Sequence, residues 1–127
     1  MTNGRRILNV SLWIAQIIVA LSFIWASAMK LFLPADKLAA MWPWTAGNRS
    51  LVIVTGLIDL LAGAGLVLPA LLSNRKAITV YAAWGTIALM IVACIFHITR
   101  GEASLIWVNI FFAVMAALIA WGRRSWQ

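Results

Sequence analysis

The sequence contains four apolar stretches, each about as long as a lipid bilayer is thick. They run over about residues 7–33, 51–72, 77–98 and 103–121. A helix needs about 20 apolar residues to cross the hydrocarbon core, and the short connections after the second and third stretches force neighbouring helices to run antiparallel. We therefore predict one all-α domain, residues 1–127, that forms an integral membrane antiparallel four-helix bundle.

The composition excludes a soluble domain. Hydrophobic residues make up 65% of the chain and charged residues 10%, and the mean hydropathy is +0.99, so there is too little polar surface to cover a core in water. The net charge of +7 does not indicate nucleic acid, because Lys and Arg lie at the edges of the apolar stretches and form no basic stripe. We expect a lipid bilayer, and no nucleic acid, as the partner of this surface.

The basic residues predict an orientation. One side of the predicted bundle carries Lys and Arg without any acid: Arg5, Arg6, Arg75, Lys76, Arg123 and Arg124. On the opposite side, Asp36 and Glu102 dilute the basic residues. Because cytoplasmic loops are enriched in Lys and Arg, we predict a multi-pass protein of a bacterial-type cytoplasmic (inner) membrane with both termini in the cytoplasm.

The longest connection, residues 35–50, joins the first two stretches. It follows Pro34 and places Trp42 and Trp44 near charged residues, a pattern typical of segments at the headgroup level of a membrane. We predict an interfacial loop here.

Two charged residues lie within the predicted spans. Asp59 lies about eight residues, or about 12 Å, into the second stretch, where a carboxylate costs about 2.5 to 3.5 kcal/mol and should find a partner inside the bundle or stay protonated. Lys30 lies near the outer end of the first stretch and can reach that carboxylate or the water above it. Three interpretations stay open: an ion pair or hydrogen bond that stabilises the bundle, a pocket that binds and protonates a small ligand, or contact with a lipid headgroup.

The last two stretches bring further polar residues to the same side of the membrane. A helical stripe on the third leads through His97 to Arg100, and the fourth stretch follows Glu102 and carries Asn109. We expect these residues to converge with the lysine and the aspartate in one polar pocket in the outer half. We expect His97 to be an interfacial anchor, or a proton donor or hydrogen-bond partner for a ligand. Arg100 and Glu102 should form a surface pair, or else a gate or a contact to the headgroup of a ligand. Asn109 should bond another helix or a ligand.

Metal binding is not expected, because the chain has one Cys and one His. It also lacks a haem-like axial ligand pair, a CxxC motif and a flavin fingerprint, so it cannot supply a conventional redox centre by itself. No covalently bound cofactor is implied, and whether the chain is an enzyme stays open.

Three segments follow one another in a characteristic order: residues 28–31, AMKL, residues 56–70, GLIDLLAGAGLVLPA, and residues 93–102, ACIFHITRGE. Together they resemble the DoxX-like family of small four-span membrane proteins. The resemblance extends from about residue 24 to residue 121. One position departs from the pattern, because the family commonly has Glu where this chain has the shorter Asp59.

The resemblance implies a link to quinones. Better-studied members are membrane subunits of oxidoreductases that pass electrons to quinone, or accompany resistance to quinones and thiol stress. Together with the polar residues of the outer half, this link predicts a pocket that binds a quinone-like or isoprenoid ligand. The protein would then act alone, or as a subunit or accessory of a membrane oxidoreductase with a membrane or soluble redox-protein partner. The alternatives are a non-enzymatic membrane scaffold or assembly partner and, ranked last, a transporter or channel, which would need to oligomerise. A homo-oligomer is compatible with each of them.

Overall fold

The computed structural model describes residues 2–72 and 75–126, and all regular structure in these ranges is helical. The α-helices are α1 (Asn3–Phe32), α2 (Ala35–Met41), α3 (Arg49–Leu71), α4 (Ala77–Thr99) and α5 (Trp107–Gly122). Short 3-10 turns occupy Pro43–Thr45, Ala103–Leu105 and Arg124–Trp126. The predicted all-α class is confirmed. Of the short connection predicted between the second and third apolar stretches, residues 73–76, positions 73 and 74 lie outside the described residues.

Three helices, α1, α3 and α4, are long and apolar enough to cross a membrane. The fourth predicted span differs from the structure, because the predicted start at residue 103 falls in a 3-10 turn and α5 has only 16 residues. That length is less than the about 20 residues of a full crossing. The described residues thus contain three helices of spanning length and one shorter apolar helix.

The late start of α5 follows from the way α4 ends. Gly101 has a φ of 74°, a left-handed conformation that glycine adopts at little cost. Its amide donates to the carbonyl of Ile98, and the amide of Glu102 donates to the carbonyl of His97, at 3.0 and 2.8 Å. These two bonds form a Schellman motif, which satisfies the last carbonyls of α4 and turns the chain away from the helix axis.

The four apolar helices form a ring of neighbours, in which α1 and α4 each pack against α3 and α5. Fully buried residues from each helix meet in the centre: Val19, Leu66, Ala83 and Ile119. Large apolar side chains also cover the outside, among them Leu21, Leu61, Val92 and Leu118. A surface of this kind suits hydrocarbon and not water.

The helix assembly has two ends, called outer and inner here. The outer end carries the α1–α3 connection with α2 and the α4–α5 turn, and the inner end carries the start of α4 and Arg123.

At the inner end Pro69 lies inside α3, where it cannot donate a hydrogen bond to the carbonyl of Gly65. The Thr79 hydroxyl of α4 donates to that carbonyl instead, at 3.2 Å. A side chain of a neighbouring helix thus satisfies the backbone group that proline leaves free.

Glycines set the distance between α1 and α3. A Cβ added at Gly63 would lie 3.0 Å from the carbonyl oxygen of Ala20 and 2.9 Å from Cγ1 of Ile24. A Cβ added at Gly56 would lie 3.1 Å from Cβ of Lys30. The small-residue face of α3 therefore allows the close approach that brings Lys30 and Asp59 within reach of each other.

Replacing Gly63 by Ala should separate α1 from α3 and lower the free energy of unfolding by about 1 to 3 kcal/mol, as overpacking does. The measurement is thermal or denaturant-induced unfolding of the purified protein in detergent. Gly85→Ala is the matched control, because nothing lies within 4 Å of a Cβ at this position of α4. Equal stability of the two variants would contradict the close approach at Gly63.

Candidate functional site

Lys30 and Asp59 form a direct ion pair between α1 and α3. The ammonium nitrogen of Lys30 lies 2.7 Å from Oδ2 of Asp59, and the two side chains are only 12% and 7% exposed. Lys30 comes from the last turn of α1, and Asp59 lies on the buried face of α3 that also carries Gly56 and Gly63. Of the two directions open to Lys30 from the sequence, the structure has the one that points inward to the carboxylate.

The outer connection covers this pair. The predicted interfacial loop is more regular than expected, since it contains α2 and a 3-10 turn, anchored by Leu38, which is 1% exposed. The side-chain amide of Asn48 donates a hydrogen bond to the backbone carbonyl of Trp44 at 2.7 Å. This contact helps to hold the indole of Trp44 with its ring centre 5.4 Å from the Lys30 ammonium, a distance at which a cation is attracted to the ring face.

A second polar cluster lies at the α4–α5 turn. Glu102 Oε1 accepts hydrogen bonds from Nδ1 of His97 and Nε of Arg100, each at 3.0 Å. The Schellman motif explains why these side chains meet, because it folds residue 102 back over the last turn of α4. The hydrogen bond from His97, followed by the bond and the charge of Arg100, lowers the pKa of Glu102 below its ordinary value.

No hydrogen bond or ion pair joins these two clusters within residues 2–72 and 75–126, so the structure does not bring the predicted site residues into one bonded group. Trp44 and Phe96 lie between them, edge to face, with ring centres 5.7 Å apart. Phe96 also contacts the ring of His97 at 5.6 Å and the guanidinium of Arg100 at 5.5 Å. Aromatic rings thus lie between the Lys30–Asp59 pair and the cluster at the α4–α5 turn.

Asn109 joins neither cluster. It is partly buried in the first turn of α5, and within residues 2–72 and 75–126 its side chain makes no hydrogen bond with the other candidate residues. The late start of α5 contributes to this separation, because the 3-10 turn at Ala103–Leu105 lies between Glu102 and the helix that carries Asn109.

A third polar cluster, at the inner end, was not predicted. Nε of Arg123 donates to Oε1 of Gln16 at 2.8 Å, and Nη1 donates to Oδ1 of Asn9 at 2.7 Å. Gln16 is fully buried and donates in turn to the carbonyl of Leu66 at 2.7 Å. This inner cluster, Asn9, Gln16 and Arg123, links α1, α3 and the end of α5.

Arg123 was interpreted from the sequence only as a marker of orientation, yet it is 5% exposed. Gly122 permits this burial, because any Cβ there would overlap the side chain of Leu12 on α1. Burial lowers the pKa of the guanidinium below its ordinary value. One signal was present in the sequence: Asn9 and Gln16 are seven residues apart and therefore share a helix face.

Two cavities are lined by residues other than those of the outer clusters. An apolar groove of about 340 Å³ between α4 and α5 is lined by Met90, Ile91, Cys94, Ile95, Ile110, Ala113, Val114 and Ala117. A smaller pocket of about 210 Å³ in the outer connection is lined by Ala35, Leu38, Thr45, Ala46, Gly47, Arg49 and Val52. Neither is lined by the predicted site residues Lys30, Asp59, His97, Arg100, Glu102 and Asn109.

The fold and these clusters define a small helical protein of the membrane-spanning type, with polar layers at both ends and an apolar middle. The chain belongs to the DoxX-like family, whose model matches residues 14–119. The matched range reaches from the middle of α1 to the last turn of α5, which confirms the resemblance seen in the sequence. No curated protein and no solved structure matches the chain.

The contacts of Glu102 predict a change of stability with pH. A carboxyl group whose pKa is lowered by folding contributes stability above its ordinary pKa of 4.5, and this contribution is lost as the pH falls through the lowered, folded value. The melting temperature should therefore fall less steeply for Glu102→Gln than for the wild type between about pH 5.5 and about pH 3.

Thermal unfolding in detergent across this range measures the slope. Asp36→Asn is the control, since Asp36 is exposed and forms no ion pair within the described ranges. The assignment would be wrong if Glu102→Gln kept the wild-type slope and Asp36→Asn lost it.

Proposed function

We propose that this protein is a four-span, bacterial-type inner-membrane protein that acts as a non-enzymatic accessory or assembly subunit. Its polar residues at the outer end then hold the helices in register. A membrane or soluble redox protein is the partner that the better-studied members of the family suggest. Alternatively, copies of the chain associate with one another.

The membrane placement rests on helix lengths and charge. The 16 residues of α5 span about 24 Å, and the preceding 3-10 turn at Ala103–Leu105 extends the apolar segment toward the thickness of the hydrocarbon core. With α5 as a fourth crossing, both termini lie on the side that carries basic residues and no acid. The positive-inside rule then assigns that side to the cytoplasm.

The closed ion pair is the observation that carries the structural role. Lys30 and Asp59 contact each other at 2.7 Å and are nearly buried, so the two charges compensate each other inside the protein. Removing one partner of a buried pair leaves the other charge uncompensated, whereas removing both partners together is often neutral. A structural pair and a ligand site therefore respond differently to single and double substitutions.

Asp59→Asn should lower the free energy of unfolding by about 3 kcal/mol or more, because the Lys30 ammonium stays buried without its counterion. The double variant Lys30→Met with Asp59→Leu should recover most of this loss. Thermal unfolding in detergent measures both changes, with Asp36→Asn as the control for loss of an exposed acid.

Mass spectrometry of small molecules that co-purify with each variant separates the two roles. A structural pair predicts that Asp59→Asn changes stability and leaves the co-purifying molecules unchanged. If Asp59→Asn instead remained as stable as the wild type and lost one specific molecule, the ion pair would belong to a ligand site.

The apolar groove between α4 and α5 favours a second candidate function. Its volume and lining suit an isoprenoid chain, and it opens beside the helix that carries His97. In this candidate the protein binds a quinone-like ligand for a membrane oxidoreductase, and His97 and Asn109 contact the head of the ligand at the outer end. The ligand would thus be held by the α4–α5 half of the protein, apart from the ion pair.

Ala117→Phe should fill the groove and reduce a retained quinone or isoprenoid by about tenfold, since displacing one well-packed apolar segment costs more than about 1.4 kcal/mol. The measurement is the amount of the molecule recovered per mole of purified protein. Leu118→Phe is the control, because this neighbouring side chain is exposed and does not line the groove. Equal retention by both variants would exclude the groove as the binding site.

A further inference from the structure

The inner cluster holds a buried positive charge without a counterion. Arg123 is 5% exposed, and its two bonded nitrogens donate to the side-chain amides of Gln16 and Asn9. Both acceptors are neutral. The remaining nitrogen, Nη2, is buried and has no hydrogen-bond partner in the part of the chain that the structure describes. Burying such a group without a partner is unfavourable.

No acid of this chain compensates that charge. The sequence has three Asp and Glu residues in total. Asp59 is paired with Lys30, and Glu102 is paired with His97 and Arg100. The third acid, Asp36, lies in the first turn of α2 at the outer end. None of the acidic side chains of the sequence therefore serves as a counterion for Arg123.

The indole of Trp126 lies next to the Arg123 guanidinium and also next to a second cation, Lys76. Cζ of Arg123 lies 4.3 Å from the ring centre of Trp126, and Nζ of Lys76 lies 5.1 Å from the centre of the same ring. Trp126 belongs to the short 3-10 turn Arg124–Trp126, which follows α5. The indole thus packs against both cations and covers the face of the guanidinium.

We propose that Arg123 and Lys76 bind the phosphate group of an anionic phospholipid at the inner end of the helices. The planar guanidinium offers the unpaired Nη2 to a phosphate oxygen, and the Lys76 ammonium adds a point charge. Trp13 and Trp126 flank Arg123, with ring centres 5.7 and 4.3 Å from Cζ, and tryptophan is enriched at the headgroup level of membranes. Basic sites between transmembrane helices recognise anionic headgroups in this way.

This inference rests on the membrane placement proposed above and not on the accessory role. It predicts that Trp126 moves aside when the phosphate binds, because Nη2 is covered in the present arrangement. An accessory protein that lacked this lipid would still depend on its outer ion pair. A lipid site would likewise remain in a protein with a different partner.

The test is lipid binding to the full chain, purified in a neutral detergent and stripped of lipid. Phosphatidylglycerol, phosphatidylcholine and inorganic phosphate are added separately, and bound adducts are counted by native mass spectrometry. Phosphatidylglycerol carrying brominated chains quenches tryptophan fluorescence and provides a second readout. We expect phosphatidylglycerol to bind with about tenfold higher affinity than phosphatidylcholine. Both lipids offer a phosphate, but Arg123 and Lys76 repel the choline cation of phosphatidylcholine.

Arg123→Gln should lose this preference, while Arg124→Gln should keep it. Arg124 is the matched control, because it removes the same charge one position along the chain, and its exposed guanidinium donates to the carbonyl of Trp121. If Arg123→Gln does not fold, Arg123→Lys keeps the charge without the planar fork and should bind phosphatidylglycerol more weakly than the wild type. Lys76→Gln should weaken binding to a smaller extent.

The outcomes distinguish the source of the phosphate. Equal binding of phosphatidylglycerol by the wild type, Arg123→Gln and Arg123→Lys would overturn the site. Inorganic phosphate that bound at Arg123 as tightly as the lipid would overturn the assignment to phospholipid and leave a site for soluble phosphate. Failure of the lipid test, combined with the predicted loss of stability in Asp59→Asn, would reject the lipid site and leave the proposed function intact.

Discussion

Water does not reach the interior of a helix assembly that is surrounded by hydrocarbon, so every polar group there needs a partner within the protein. The contacts between the helices of this chain follow from that requirement. Lys30 of α1 pairs with Asp59 of α3, and Thr79 of α4 donates to the carbonyl that Pro69 leaves free in α3. Each of these contacts joins two helices. The need of a polar group for a partner therefore also determines which helices pack together.

Small residues make these contacts possible. Gly56 and Gly63 allow α1 and α3 to approach closely enough for the stem of Lys30 to pass along α3, and Gly122 allows the end of α5 to reach α1. The hydrophobic effect does not drive helices together in lipid, so close packing and a few polar bonds must hold them. Adding one methyl group at such a glycine should therefore disturb both the packing of the helices and the polar contact beside it.

The two polar layers differ in electrostatic balance. At the outer end, Asp59 and Glu102 neutralise their basic partners, which favours a structural role there. At the inner end, Arg123 has only neutral acceptors. Binding of a charged ligand is therefore better supported at the inner layer than at the outer layer, where the sequence predicted the ligand pocket.

The sequence by itself determined the helical class, the approximate extent of the apolar helices and the family. These features depend on local properties: the length of apolar runs, the proline after α1 and the glycine after α4. It also identified Lys30 and Asp59, because a charge within an apolar run is conspicuous whatever its orientation.

Only the tertiary structure decided which polar groups meet. The rotation of each helix about its axis determines whether a side chain faces a neighbour or lipid, and periodicity within one helix does not fix that rotation relative to the others. Packing placed Trp44 and Phe96 between the outer clusters, and it buried Arg123 against α1. The sequence does not show whether a basic residue at the end of a span is solvated or buried. That difference depends on the neighbouring side chains that the fold brings to it.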